Sequence, residues 1–170
     1  MNRIAKFEKV SYKQFSKDFT EIFGIPENFV KEIYNNIKLP KRATSGSAGY
    51  DIFMYSDISL EPGETVKIPT GIRARIDNGW VLSVFPRSGL GFKFRLQLDN
   101  TVGIIDADYY NSDNEGHIFL KMTNNGNKIV TVESGKGIAQ GIFLPFGITV
   151  DDETNSVRNG GFGSTDKKII

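Results

Sequence analysis

Two aspartates and two tyrosines close the short apolar run in "GIIDADYYN", Gly103 to Asn111. A strand that only fills a core has no use for Asp106 and Asp108, and a loop has no use for Ile104 and Ile105. The segment reads as a buried strand that delivers polar groups to a place where they are needed. Asp106 is suited to hold a water as a general base, and Tyr109, three residues on, to face a sugar ring. The plainer reading is a bulge or turn in which aspartate makes local hydrogen bonds.

A second stretch, "PRSGLGFK" (Pro86 to Lys93), follows the apolar run "WVLSVF". Arg87 supplies a fixed cation, Ser88 a hydroxyl, and Gly89 a backbone that an anion can approach closely, as a phosphate cradle at a strand end requires. It is not a Walker A loop, because Gly-x4-Gly-Lys-Ser/Thr occurs nowhere in the chain. Nor is it a dinucleotide fingerprint, because "GLGFKF" lacks the third glycine. A plain turn fits this stretch equally well. A third stretch, "RNGGFGSTD" (Arg158 to Asp166), joins an arginine, glycines and the hydroxyls of Ser164 and Thr165 to one aromatic, Phe162. It reads either as a disordered terminus or as a lid, with Phe162 laid on a flat ring while backbone and hydroxyls grip phosphates. Together the second and third stretches suggest a nucleoside polyphosphate.

The elements that must position these groups come from the rest of the chain. At 170 residues it is long enough for one domain with a real core. Its 21 basic and 20 acidic residues nearly cancel, so it lacks the basic excess by which a nucleic-acid binder is recognised. No cysteine is present, which excludes disulfides, thiolate nucleophiles and Cys-zinc sites. A single histidine makes a His-rich metal site a poor expectation. The N-terminus has no apolar run of signal-peptide length and no segment is apolar enough to span a bilayer, so a cytoplasmic location is expected.

The texture changes near residue 40. Before it, Phe15, Phe19, Ile22 and Phe23 fall at helical spacing, and Ser11 with Gln14 has the spacing of a capping box. Gly24 stops the run, Pro26 suits a first helical turn, and Phe29, Val30, Ile33, Tyr34 and Ile37 repeat the pattern. A helical hairpin packed on the main domain is expected, as an N-terminal helical extension over 1–37. From there, "GYDIFMYSDISL", "TVKIPTGIRARI", "WVLSVFP", "FRLQLDN", "HIFLKMTN", "KIVTVES" and "GIAQGIFLPFGITV" are short, alternating and rich in Val, Ile, Phe and Thr. Gly, Pro, Asn and Asp separate them. That pattern predicts an all-β, jelly-roll-like core over 38–150, followed by a polar, mobile tail over 151–170. His117 is expected as a strand residue and Trp80 as a packed residue opening a core strand.

Five segments, taken in order, resemble the motifs of the trimeric dUTPases: "AGYDI" (Ala48 to Ile52), "PRSGLGFK", "NTVGIIDADYY" (Asn100 to Tyr110), "GKGIAQGIFLP" (Gly135 to Pro145) and "RNGGFGST". The resemblance covers roughly residues 38 to 166 and implies a homotrimer with shared sites. It implies hydrolysis of dUTP to dUMP and pyrophosphate with Mg²⁺, by attack of water on the α-phosphorus. Under it, Asp106 orients and activates the water. The ring of Tyr109 packs on the deoxyribose, where a 2′-hydroxyl would clash. Asn100 and the backbone of Gly103, Ile104 and Ile105 read uracil. Arg87, Ser88, Gly89 and Gln140 hold phosphates. Asp51 touches Mg²⁺ through water, because this ion is best held by phosphate oxygens and waters. Arg158, Gly163, Ser164 and Thr165 close over the substrate, with Phe162 stacked on uracil.

Three departures stand out. "NSDNE" (Asn111 to Glu115) lengthens the hairpin before Gly116, Arg158 lies one residue nearer Phe162 than in many members, and Asp166 replaces a glycine. Two other readings share parts of the pattern. A dCTP deaminase has the same fold, but needs an acid/base group at cytosine C4, whereas "GIIDADYY" suits water attack on phosphorus. A regulatory module built on this scaffold would use the insert or the helical extension to bind a protein partner.

Overall fold

The computed structural model describes residues 2–155. The chain opens on a strand, β1 (Ala5–Lys9), then a helical hairpin, α1 (Tyr12–Phe23) and α2 (Glu27–Asn36). Strands β2 (Lys41–Arg42), β3 (Tyr50–Phe53), β4 (Ile58–Leu60), β5 (Thr65–Pro69), β6 (Ile72–Ile76) and β7 (Trp80–Pro86) follow. A short helix, α3 (Ser88–Phe94), leads to β8 (Leu96–Leu98), β9 (Gly103–Ile105) and a 3-10 turn over Ala107–Asn111. The described chain closes with β10 (Phe119–Asn124), β11 (Val130–Val132) and β12 (Gly137–Pro145).

The structure is mostly β, as the alternating pattern predicts. One sheet runs β2-β3-β12-β7-β9 and another β5-β10-β8, with the pairs β11-β4 and β1-β6 beside them. Residues from both sheets, from both strand pairs and from the helical hairpin meet in one buried cluster, which includes Phe15, Ile52, Ile68, Leu82, Leu96, Met122 and Ile138. Trp80 packs partly buried against it.

The helical hairpin forms where the spacing places it. Ser11 caps α1 by accepting from the Gln14 N–H, but the reciprocal half of a capping box is missing. Gln14 Nε2 turns instead to Asp18 Oδ2 at 2.8 Å, and the Ser11 N–H is taken by Glu115. Gly24 ends the helix in the left-handed region, φ 66°, which its missing Cβ permits. The apolar stripe buries Phe15 and Phe19, and α2 buries Val30.

The first 37 residues are not helical throughout, which corrects that part of the sequence reading. β1 is a five-residue strand, antiparallel to β6 with Phe7 opposite Ala74. Its signal is weak in the sequence because Ala5 and Lys6 are exposed and the rest only half-buried, so no clean alternation shows. Gly71, at φ 71°, welds the extension to the core. A Cβ there would collide with Ile37 Cδ1, and its carbonyl accepts from the Val10 N–H at 3.0 Å.

At the β1–β6 pair, Glu8 accepts from the Tyr110 hydroxyl at 2.6 Å and bridges to Lys6 at 2.9 Å and Arg73 at 3.4 Å. The Tyr110 hydrogen bond, then those charges, lower its pKa from 4.5 to about 2. A depressed folded-state pKa stabilises the fold above the unfolded value, and the contribution is lost as pH falls through the folded value. Glu8→Gln should therefore lower the melting temperature at pH 7, and calorimetry should find the gap to wild type closing between pH 4.5 and about 2. A gap unchanged over that window would mean that the carboxylate charge does not stabilise the pair.

Candidate active site

The long strand β7 carries both halves of the chemistry. Its last residues pair with β12, and β12 pairs with β3 on its other side, so that Gln140 lies opposite Phe85 and opposite Asp51. Arg87, one residue past β7, sends Nε to Asp51 Oδ1 at 3.2 Å and Nη1 to the Gly137 carbonyl at 3.4 Å. Gln140 donates to the Pro86 carbonyl at 3.3 Å. The structure thus brings Asp51, Arg87 and Gln140 together, with Ser88 and Gly89 next in the chain. Two glycines make room. A Cβ at Gly137 would sit 2.8 Å from Arg87 Nη1, and one at Gly49 would sit 2.6 Å from Gln140 Oε1.

From Ser88 onward "PRSGLGFK" is a helix, not the loop or turn of the sequence reading. Its two glycines weaken the helical signal, but Arg95 closes the helix in the left-handed region at φ 54°. Beside it opens a cleft of about 420 Å³ lined by Arg87, Ser88, Gly89, Lys93, Lys136 and Gly137, among others. Lys93 and Lys136 add cations that the sequence reading did not single out. With three cations against one carboxylate, Glu133, the cleft is basic on balance, and it is edged by backbone, which suits phosphate.

The other half hangs from the opposite part of β7. Ile105 lies opposite Leu82, Ile104 opposite Ser83 and Gly103 opposite Val84. The strand is a short edge: Gly103 and Ile105 are buried, while Ile104 is 54% exposed. β8 and β9 do not pair with each other, because β8 belongs to the sheet with β10. The segment read as a hairpin is therefore a corner between two sheets. Its tight turn holds Asn100 exposed and puts Thr101 at φ 65°, a strained setting for a β-branched residue. Asp106 is half-buried just past the strand, and the 3-10 turn that follows buries Tyr109 to 4% exposure.

These two halves do not meet within one chain. Arg87 lies five residues from Leu82, and Asp106 lies one step beyond Leu82's partner in the other direction. At about 3.3 Å per residue, the two groups are roughly 17–20 Å apart along the strand. A triphosphate does not bridge that span. Arg158, Phe162, Gly163, Ser164 and Thr165 lie outside the described residues.

His117, expected in a strand, is instead fully buried ahead of β10 and tied to α1. The Gly71 N–H donates to its Nε2 at 2.8 Å, so Nδ1 carries the proton and donates to Asp18 Oδ2 at 2.5 Å. Burial opposes the charged form of Asp18, but the hydrogen bonds from His117 and Gln14 outweigh it and hold its pKa below the ordinary value. The "NSDNE" insert does not loop into solvent. Ser112 is buried, and Glu115 accepts from the Ser11 N–H at 2.7 Å and from the Ser11 hydroxyl at 2.6 Å. Burial raises the Glu115 pKa, but the two Ser11 bonds and nearby positive charge, Arg73 foremost, leave it below the ordinary value.

A basic cleft suited to phosphate and an aspartate-bearing sheet corner thus lie toward opposite ends of one strand in a mostly β fold. Comparison with known proteins names the family. The dUTPase family profile matches residues 35–166, and the chain belongs to that family. The deoxyuridine 5′-triphosphate nucleotidohydrolase of Lactococcus lactis subsp. lactis is 47% identical over 132 residues, covering 76% of this chain and 88% of the relative. That of Hahella chejuensis is 40% identical over 146 residues, covering 81% and 93%. Among solved structures, the dUTPase from Streptococcus mutans has 37% identity and a TM-score of 0.61, covering 84% of this chain and 97% of that one. A dUTPase from phage phi11 of S. aureus, whose structure coordinates a structural Mg(II) ion, has a TM-score of 0.63 over 91% of this chain. At 20% identity it shows the fold alone.

Proposed function

We propose that this chain hydrolyses dUTP to dUMP and pyrophosphate, as a homotrimer of jelly-roll-like subunits in which each site takes its corner from one copy and its phosphate cleft from another. The observation that carries the reading is the split along β7, because it leaves each chain with two half-sites that a second copy must complete. Leu144, Phe146, Ile148 and Val150 support association. They run along the end of β12 and the chain after it at 42%, 52%, 74% and 110% exposure, an apolar edge suited to burial against another copy.

In this reading Asp106 holds the attacking water and accepts its proton as oxygen bonds to the α-phosphorus. Asn100 and the backbone of Gly103, Ile104 and Ile105 read the uracil edge with groups that the strand fixes in place. Tyr109 meets the sugar. Arg87, Ser88, Gly89 and Gln140 hold the phosphates, and the charge on Arg87 favours pyrophosphate as the leaving group. The tail residues Arg158, Phe162, Gly163, Ser164 and Thr165 complete the site from a further copy.

The residues fit Mg²⁺ carried in by the triphosphate. Among the described residues no cluster of three metal-ligating side chains exists, and Asp51 is already paired with Arg87, so it would touch the ion through water. When bound, Mg²⁺ neutralises phosphate charge. The product dUMP would feed thymidylate synthesis, and removal of dUTP would keep uracil out of DNA.

Pyrophosphate release from dUTP, dCTP, dTTP and UTP tests the reading. Release from dUTP should exceed that from each of the others by about 100-fold or more in kcat/KM, since the backbone rejects the cytosine edge, a close fit rejects the thymine methyl and the sugar contact rejects the ribose of UTP. Comparable release from UTP would refute the sugar contact. A one-unit mass shift of dCTP with its triphosphate intact would identify a deaminase instead.

A further inference from the structure

Tyr109 is held at its hydroxyl by the insert that follows it. The hydroxyl donates to the His117 carbonyl at 2.6 Å and accepts from Asn114 Nδ2 at 2.8 Å. Asn114 is fixed in turn: its Oδ1 accepts from the Gly116 N–H at 3.2 Å, and its carbonyl accepts from the His117 N–H at 3.1 Å. Gly116 sits at φ 70°, where a Cβ would strike Tyr110 Cα and the Tyr109 carbonyl, so the loop closes tightly back on the tyrosine turn. Glu115 is also left-handed, at φ 59°, a conformation that a glutamate adopts only when its surroundings hold it.

Those surroundings are the N-terminal extension. Ser11, the cap of α1, binds Glu115 through both backbone and hydroxyl, and Asp18, two turns along α1, binds His117. The contacts join residues 99 to 104 positions apart, and each lands on the loop that clamps the Tyr109 hydroxyl.

We propose that Asn114, His117 and Asp18 are positioning residues for Tyr109, and that the N-terminal extension and the 111–115 insert form one brace that sets discrimination between deoxyribose and ribose. The inference rests on the dUTP-hydrolase reading and adds the device that aims its sugar contact. Only a small part of Tyr109 reaches the surface. A shift of a few tenths of an ångström in the ring therefore changes much of what a sugar meets, and a 2′-hydroxyl is the group that such a shift would admit.

The test uses the full-length protein, with kcat and KM measured separately for dUTP and UTP. Asn114→Ala removes one of the two hydroxyl partners on a half-buried loop. The ratio of kcat/KM for dUTP over UTP should fall about tenfold, with most of the change on the UTP side. Asp18→Asn keeps the shape at α1 and should lower the same ratio in the same direction, while Asn114→Asp, which keeps an oxygen toward Gly116, should lose the ratio as Asn114→Ala does. Tyr109→Phe keeps the ring and removes the tether, so adding Asn114→Ala to it should change nothing further. Melting temperatures are read for every variant.

Equal losses for both nucleotides, tracking the melting temperature, would overturn the proposal and leave the brace a purely structural one. So would an additive effect of Asn114→Ala on the Tyr109→Phe background. If wild type released no pyrophosphate from dUTP, the underlying reading would fail instead, and the two failures cannot be confused.

Discussion

Replacing Asp106 with asparagine should cut turnover of dUTP by about 10²–10⁴-fold while nucleotide binding survives, because the substitution keeps the shape and removes the proton acceptor. The geometry favours a clean outcome. Asp106 follows β9, whose three residues are pinned in register to β7, so the ladder fixes the strand that presents the side chain. Calorimetric titration with a non-hydrolysable dUTP analogue should return a dissociation constant close to that of wild type. The kinetic loss should then fall on kcat, the signature of an interaction made in the transition state. Turnover close to wild type would remove Asp106 from the mechanism. Equal losses of binding and turnover would make it a substrate ligand.

The second large effect is a recovery. Asp106→Asn and Arg87→Ala should each be nearly inactive alone, yet a mixture unfolded and refolded together should regain activity. If each site takes Asp106 from one copy and Arg87 from another, random assembly leaves roughly a quarter of the sites with both intact groups, so activity should approach a quarter of wild type. If both groups served one site within one chain, no hybrid could contain an intact site, and the mixture would stay dead. Sedimentation of the same mixture should show a trimer, and a monomer would refute the assembly.

Much of the architecture was legible because the core strands alternate and their turns are marked by Gly, Asn, Asp and Pro. β7 and β12 are long, apolar and bounded, and both fall where the pattern places them. α1 was legible from the spacing of Phe15 and Phe19. α3 was not, because Gly89 and Gly91 argue against a helix and the tertiary setting overrides them. β1 was not, because an edge strand half in solvent needs no alternation. The cluster of Asp51, Arg87 and Gln140 follows from motif order, but the distance between that cluster and Asp106 does not. It depends on the register of β9 against β7, which no local pattern encodes. Nor does local sequence give the partners of His117, since Asp18 stands 99 residues away and is one acidic residue among 20.

The β1–β6 ladder bears on where this protein begins as a physical object. The family profile starts at residue 35, so a minimal version trimmed to that boundary is a natural design. Such a trim would strip β6 of its only ladder partner among the described residues and open the edge of that strand to solvent. It would also uncover the cluster that Val10, Phe15 and Phe19 seal. An open strand edge beside bare apolar surface is a template for self-association of the wrong kind. A profile boundary and a cooperative unit thus draw different borders through this chain, and for anyone shortening, fusing or crystallising it the border that counts is the one drawn by hydrogen bonds.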